Sequence, residues 1–185
     1  MSIVIRTALI SAGLVAAATS TSAQAQAATP LPSCASEGHR ALDFWVGRWD
    51  VYRADTNALV AHSLIERMYD GCAIRESWMP HGRAGGGSLS SYDPAARRWQ
   101  QTWVDSANGY ATFEGGVENG AMVLTGRWRG FNGPGTEVLA RMTYSRREAG
   151  AVSQRVESSS DGGRNWTLAA DLLYRPAAAH ASTDR

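Results

Sequence analysis

The 185-residue sequence contains no lysine; all 18 of its basic residues are arginine. That absence excludes Schiff-base catalysis, lysine general bases and phosphate loops built on a lysine ammonium. Long apolar runs are missing too: beyond the N-terminus nothing approaches the roughly 20 residues of a membrane-spanning helix. His39, His62, His81 and His180 are scattered, with no i, i+2 or i, i+4 pair, so no zinc-ligand spacing arises. A single histidine can still serve as an axial haem ligand. His81 and His180 are the candidates for that, against the simpler reading of four solvent-exposed histidines. There is no G-x-S-x-G elbow, and no glycine-rich segment follows a strand to open a helix. No cofactor and no metal are expected.

The N-terminus carries Arg6, an alanine-rich apolar run over 8–18 and a small-residue stretch with Ala23-Gln24-Ala25 and Ala25-Gln26-Ala27. A charged start, a short apolar core and A-x-A sites are what a secretory signal peptide needs. Residues 1–27 are read as that signal, with a buried N-terminal helix as the rival. The expected location is therefore periplasmic or secreted. The remainder suits one domain with one core: a lead over 28–41, a β domain over 42–176 and a disordered tail over 177–185. With Arg6 removed from the 18 arginines, 17 face 17 acidic residues. Such balance offers no basic footprint for nucleic acid or anionic lipid.

Cys34 and Cys72 are the only cysteines. In an oxidising compartment a lone pair most simply forms one disulfide, worth roughly 3–4 kcal/mol for closing such a loop. The rivals are free thiols and a lipid-modified Cys34, although Cys34 lies well beyond the apolar run that a lipidation motif should follow.

Past a helical turn over 37–46, turn chemistry divides the chain into about ten short strands. They are expected at 49–53, 58–69, 72–79, 88–92, 98–106, 110–117, 121–129, 137–146, 152–158 and 166–174. Asp70-Gly71 and Asn119-Gly120 are two-residue hairpin signals, Asp93-Pro94 sets another turn, and 80–87 reads as a glycine-rich loop. Short connections favour an up-and-down meander, and closure is the physical way to leave no unpaired edge. The fold class expected is all-β: a ten-stranded antiparallel barrel of the calycin type, with a two-sheet sandwich as the alternative.

Alternation assigns the inward face. Trp99, Gln101 and Trp103 share one side, as do Ile74, Glu76 and Trp78, and as do Met122, Leu124 and Trp128. Tyr92 shares a face with Ser88 and Ser90. Val138, Ala140, Met142 and Tyr144 point inward, which turns Arg141 out. The result is an aromatic interior with a few polar groups. Glu76, Trp78, Tyr92, Gln101, Trp103 and Gln154 are the candidate ligand-binding residues. Buried polar groups need partners, so Glu76 and Gln101 either orient a ligand or satisfy each other inside a filled barrel.

Ser159-Ser160-Asp161-Gly162-Gly163-Arg164-Asn165-Trp166 resembles an Asp-box and is read as a turn device, since a single copy cannot build a propeller. Asn165-Trp166-Thr167 is formally a glycosylation acceptor. Together with Asp43-Phe44-Trp45-Val46-Gly47-x-Trp49, Gly71-Cys72-x-x-x-Glu76-x-Trp78, Tyr92-Asp93-Pro94 and Trp99-x-Gln101-x-Trp103-Val104-Asp105, this segment resembles a family of secreted bacterial proteins with a lipocalin-like domain and no assigned activity. The resemblance runs from about Leu42 to Arg175. It implies a calycin barrel and a small apolar ligand, and it brings no catalytic residues. Nitrobindin-like haem barrels share that topology, but Asp50-Val51-Tyr52-Arg53 stands here in place of their glycine-rich opening, so haem is not carried over.

The function expected is an exported binding barrel for a small, largely apolar ligand. The alternatives are a filled structural or interaction module of the envelope and, behind it, an enzyme using Glu76 as a desolvated acid or base.

Overall fold

The structure is a computed structural model that describes residues 34–83 and 85–178. The signal-peptide segment over 1–27, His180 and the tail beyond 178 lie outside those residues. A short helix α1 (Glu37–Arg40) and a 3₁₀ turn (Asp43–Trp45) lead into ten strands. These are β1 (Gly47–Arg53), β2 (Leu59–Met68), β3 (Ala73–Pro80), β4 (Gly86–Asp93), β5 (Arg98–Asp105) and β6 (Tyr110–Glu118). The rest are β7 (Ala121–Arg129), β8 (Glu137–Arg146), β9 (Val152–Ser159) and β10 (Thr167–Pro176).

Each strand pairs antiparallel with its neighbour in sequence, and β1 also pairs with β10, so the sheet closes on itself. The architecture is a closed, up-and-down barrel of the lipocalin-like kind, and the sandwich alternative falls. Closure satisfies the backbone groups that β1 and β10 would otherwise leave bare. Its connections follow the turn chemistry with two differences. At Asn119-Gly120 both residues take positive φ (49° and 81°), as a type I′ hairpin requires. Asp70-Gly71, by contrast, is not a two-residue turn: Tyr69, Asp70 and Gly71 are all left-handed, at 52°, 54° and 90°. The loop expected over 80–87 is also shorter, because Trp78 and Gly86 still pair across β3 and β4.

One end of the barrel is shut by the lead. Ser36 caps α1, accepting from the His39 amide at 3.5 Å, and its hydroxyl meets His39 Nδ1 at 2.7 Å. The Trp99 indole reaches across to donate to the Gly38 carbonyl at 3.0 Å. Asp43 then holds the 3₁₀ turn through ion pairs with Arg40 and Arg67. This turn delivers Trp45, fully buried, into the barrel axis, where it packs on Tyr144 (4.9 Å) and Tyr174 (6.3 Å). Trp49 braces it from β1, donating to the Trp45 carbonyl at 2.9 Å. A Cβ on Gly47 would come within 3.3 Å of the Trp49 indole, which explains the small residue two positions earlier. The Trp45 indole N–H itself is buried and finds no hydrogen-bond partner among the described residues, a cost of about 1–3 kcal/mol set against the burial of a large aromatic surface.

Cys34 and Cys72 are disulfide-bonded, with Cα atoms 4.9 Å apart. The link ties the lead to the start of β3, so the plug is anchored covalently on one side and by the β1 ladder on the other.

Candidate functional site

Opposite the plug lies the end from which β2, β4, β6, β8 and β10 start. Between the two the barrel encloses a cavity of about 310 Å³. Its depth is polar. Glu76 of β3, Gln101 of β5, Tyr144 of β8, Gln154 of β9 and Tyr174 of β10 line it, all buried. Nearer the mouth the wall is apolar: Trp78, Trp103, Phe113, Trp128, Phe131, Val156 and Leu172. The partial exposure of Trp78, Trp103, Trp128 and Phe131, against the burial of Tyr144 and Tyr174, marks the mouth as the open end.

The polar groups at depth form two sets and one separate pair. In one, Ser88 Oγ donates to Glu76 Oε2 at 3.1 Å and Ser63 Oγ donates to Oε1 at 3.3 Å. In the other, the Tyr174 hydroxyl donates to Gln154 Oε1 at 2.6 Å, and Gln154 Nε2 donates to the Tyr144 hydroxyl at 3.0 Å. Gln101 donates to Ser90 Oγ at 2.9 Å. Glu76 and Gln101 therefore do not satisfy each other; serines on the flanking strands serve each separately. Alternation explains this: Glu76 lies opposite Ser88 in the β3–β4 register, and Gln101 lies opposite Ser90 in the β4–β5 register.

Burial dominates the electrostatics. It raises the Glu76 carboxyl from 4.5 to about 7, although the Ser88 and Ser63 hydroxyls pull the other way. Burial, and after it the Glu76 charge, push Tyr144 and Tyr174 far above the ordinary phenol range. No arginine or histidine lines the cavity among the described residues. At the rim, Trp103 Nε1 donates to Asp105 Oδ2 at 2.9 Å, and Asp105 also accepts from the Ala107 and Gly109 amides. Burial works to raise Asp105, but these three hydrogen bonds outweigh it and hold the carboxyl below its usual range. Trp103 is thereby fixed against Trp128 (6.0 Å), which in turn meets Phe131 at 5.0 Å.

Of the six residues singled out in the sequence, Glu76, Trp78, Gln101, Trp103 and Gln154 line this cavity. Tyr92 does not, and its place there is corrected. It does share the inward face of β4 with Ser88 and Ser90, but it sits at the plugged end, against His39 (5.1 Å) and Trp99 (6.1 Å). Its ring fills the space beside Gly38, where any Cβ would collide with it. Alternation fixes a residue's face and leaves open its depth along the barrel.

Several lining residues were not anticipated. Tyr144 was readable as inward from the Val138-x-Ala140-x-Met142-x-Tyr144 pattern, but nothing local marks it as a site residue. Phe131 belongs to the glycine-rich connection after β7 and carries no periodic signal. On β10, Ala170, Leu172 and Tyr174 keep a two-residue spacing, but the register shifts between Leu168 and Ala170, so that Ala169 lines the cavity beside Ala170 and Leu168 is exposed. The Asp-box segment is a turn, as read: Ser159 and Asp161 accept from the Gly163 and Asn165 amides at 2.8 and 2.9 Å. Hydrogen bonds from Asn165, first its amide and then its side chain, hold Asp161 at about 2.

His62 and His81 meet outside the barrel, their rings 5.0 Å apart, with His62 hydrogen-bonded to Asp50 at 2.7 Å. Among the described residues no three His, Cys, Asp or Glu side chains converge to hold a metal ion, and no helix is long and apolar enough to cross a membrane.

A closed antiparallel barrel with a plugged floor and an aromatic, partly open cavity defines a lipocalin-like barrel with room inside. Neither the known family models nor the curated proteins include one that matches this chain.

Proposed function

We propose that the protein is an exported binding barrel, periplasmic or secreted, that takes a small, largely apolar ligand into its interior. The observation that carries this reading is the cavity: about 310 Å³ walled by Trp78, Trp103, Trp128 and Phe131, with a few polar groups at depth. Apolar walls with sparse, placed polar groups are the composition of small-molecule sites, and the volume falls at the small end of their roughly 300–1,000 Å³ range. A barrel acting only as a structural module gains nothing from such a void, because unfilled space forfeits packing contacts. Export is supported by the signal-like sequence over 1–27 and by the Cys34–Cys72 disulfide, a bond that persists in oxidising compartments. Membership of the secreted bacterial lipocalin-like family belongs to the same proposal and rests on the motifs quoted above.

One observation favours a second reading. A carboxyl poised near 7 is matched to general acid–base work. Its hydrogen-bond partners are two serine hydroxyls, however, and the phenols beside it stay protonated. Binding therefore ranks above catalysis.

Native mass spectrometry of protein purified from its own host tests the first reading, together with tryptophan-fluorescence titration by neutral apolar probes. The expected result is a bound small-molecule mass and a saturable fluorescence change. Ligand-free protein with no response to any probe overturns it.

A further inference from the structure

We propose that the ligand is a small hydrophobic amine, bound as its ammonium ion, with the charge at Glu76 and the apolar body against Trp78, Trp103 and Trp128. This deepens the binding-barrel reading and rests on it.

Among the described residues, Glu76 is the one lining the cavity that can be charged at neutral pH, and no basic side chain lines the space with it. Each of its oxygens takes a single serine hydroxyl, Ser88 at 3.1 Å and Ser63 at 3.3 Å. A carboxylate offers about four acceptor sites, so each oxygen keeps one for a further donor. A buried charge without a counter-ion costs several kcal/mol. An ammonium group supplies the opposite charge and up to three N–H donors in one atom, and hydrogen bonds between ionised partners are the strong ones. The walls suit the same guest. Trp78 projects from the same face of β3 two residues from Glu76, and Tyr174 packs on it at 6.3 Å. Indole faces attract cations within about 6 Å, and more strongly where water is excluded.

The arrangement also argues against acids as ligands. Once Glu76 is ionised, a fatty acid or any other carboxylate would bring a second negative charge beside it with no cation among the described lining residues to separate them, which is a repulsive pairing in a low-dielectric site. Neutral apolar molecules are the competing guests, and only the charge interaction separates them from amines.

A pH signature follows from the geometry. Tyr144 on β8 and Tyr174 on β10 are the titratable groups facing Glu76, and Ser63 on β2 and Ser88 on β4 complete its surroundings. Both phenols keep their protons far above neutrality, so Glu76 alone ionises in this range, at about 7. Amine affinity should climb as pH rises through that value and the carboxyl becomes an anion, while the affinity of a neutral guest stays level.

The test uses matched probes: 2-phenylethylamine, 2-phenylethanol and phenylacetate, titrated calorimetrically and by tryptophan fluorescence between about pH 5.5 and pH 8.5. The expected result is that the amine binds about tenfold to a hundredfold more tightly than the alcohol at the upper pH. Phenylacetate should be rejected at the upper pH, where Glu76 is ionised, and the amine-to-alcohol ratio should grow with pH. Glu76→Gln should bring that ratio close to one. An alcohol that binds as well as the amine throughout, with no pH trend in the ratio, overturns the amine assignment and leaves the binding barrel standing. Failure of all three probes, with ligand-free protein recovered from the host, overturns both. The pH trend is measured on the unmodified protein, so the proposal stays testable even where the variant folds poorly.

Discussion

Replacing Glu76 with glutamine should make the empty protein more stable at pH 8 and change its stability little at pH 4.5. Unfolded, the carboxyl gives up its proton near 4.5; folded, burial holds the proton until about 7. Between those values the unfolded chain has released a proton that the folded barrel keeps, so stability falls as pH rises. At about 1.4 kcal/mol per pH unit, the interval from 4.5 to about 7 corresponds to roughly 3 kcal/mol of stability lost above the folded value. Glutamine removes the ionisation and preserves the shape. One serine can still donate to its carbonyl, while the other hydroxyl turns to accept from its amide. The gain expected for the variant at pH 8 is therefore about 1–3 kcal/mol, shrinking towards zero by pH 4.5. Urea unfolding followed by tryptophan fluorescence at a series of pH values, with the disulfide intact, measures both curves. Asp161 and Asp55, held at about 2, act at lower pH with the opposite sign, and the difference between the two proteins cancels every other group. Parallel curves from pH 5 to 8, or a gap that narrows with rising pH, would refute a buried, unpaired Glu76.

Trp45→Ala should cost about 3–5 kcal/mol and loosen the plugged end, whereas Trp45→Phe should cost less because the lost indole N–H has no partner; a near-neutral alanine variant in urea melts would mean that the floor lies elsewhere. Converting Cys34 and Cys72 to serine opens a loop spanning 38 positions and should lower stability by about 4 kcal/mol; an unchanged unfolding midpoint would count against the lead as a covalently anchored lid. Tyr92→Leu should lower stability while leaving the affinity for 2-phenylethanol intact, and Trp103→Ala should weaken that affinity several-fold; the reverse pattern in fluorescence titrations would reinstate Tyr92 in the cavity.

Most of the architecture was legible because antiparallel hairpins are local objects. Asn119-Gly120 announces its turn by chemistry, and Trp99-x-Gln101-x-Trp103 announces its inward face by period. What failed did so where locality ends. Tyr92 and Trp78 have the same inward signature on neighbouring strands, yet one is locked under α1 and the other lines the cavity. Their separation is one of height along the barrel, set by how strands are staggered. On β10 strict alternation places Leu168 inward and Ala169 outward, whereas the register shift beside them exposes Leu168 and brings Ala169 to the cavity.

By itself, then, the sequence determined the number of strands, their inward faces, the pair of cysteines available for one bond and an interior mixing tryptophan with isolated polar groups. These depend on turn propensity and side-chain alternation, which act over a few residues. Tertiary structure alone decided that Trp45 packs on Tyr144 and Tyr174 at the core of the plug, and that Tyr144, Gln154 and Tyr174 link up across three strands. It also decided that Glu76 ends among hydroxyls and aromatic rings, with no cation beside it among the described residues. Those outcomes depend on which side chains reach the same depth once the barrel has closed, and that depth belongs to the assembled sheet.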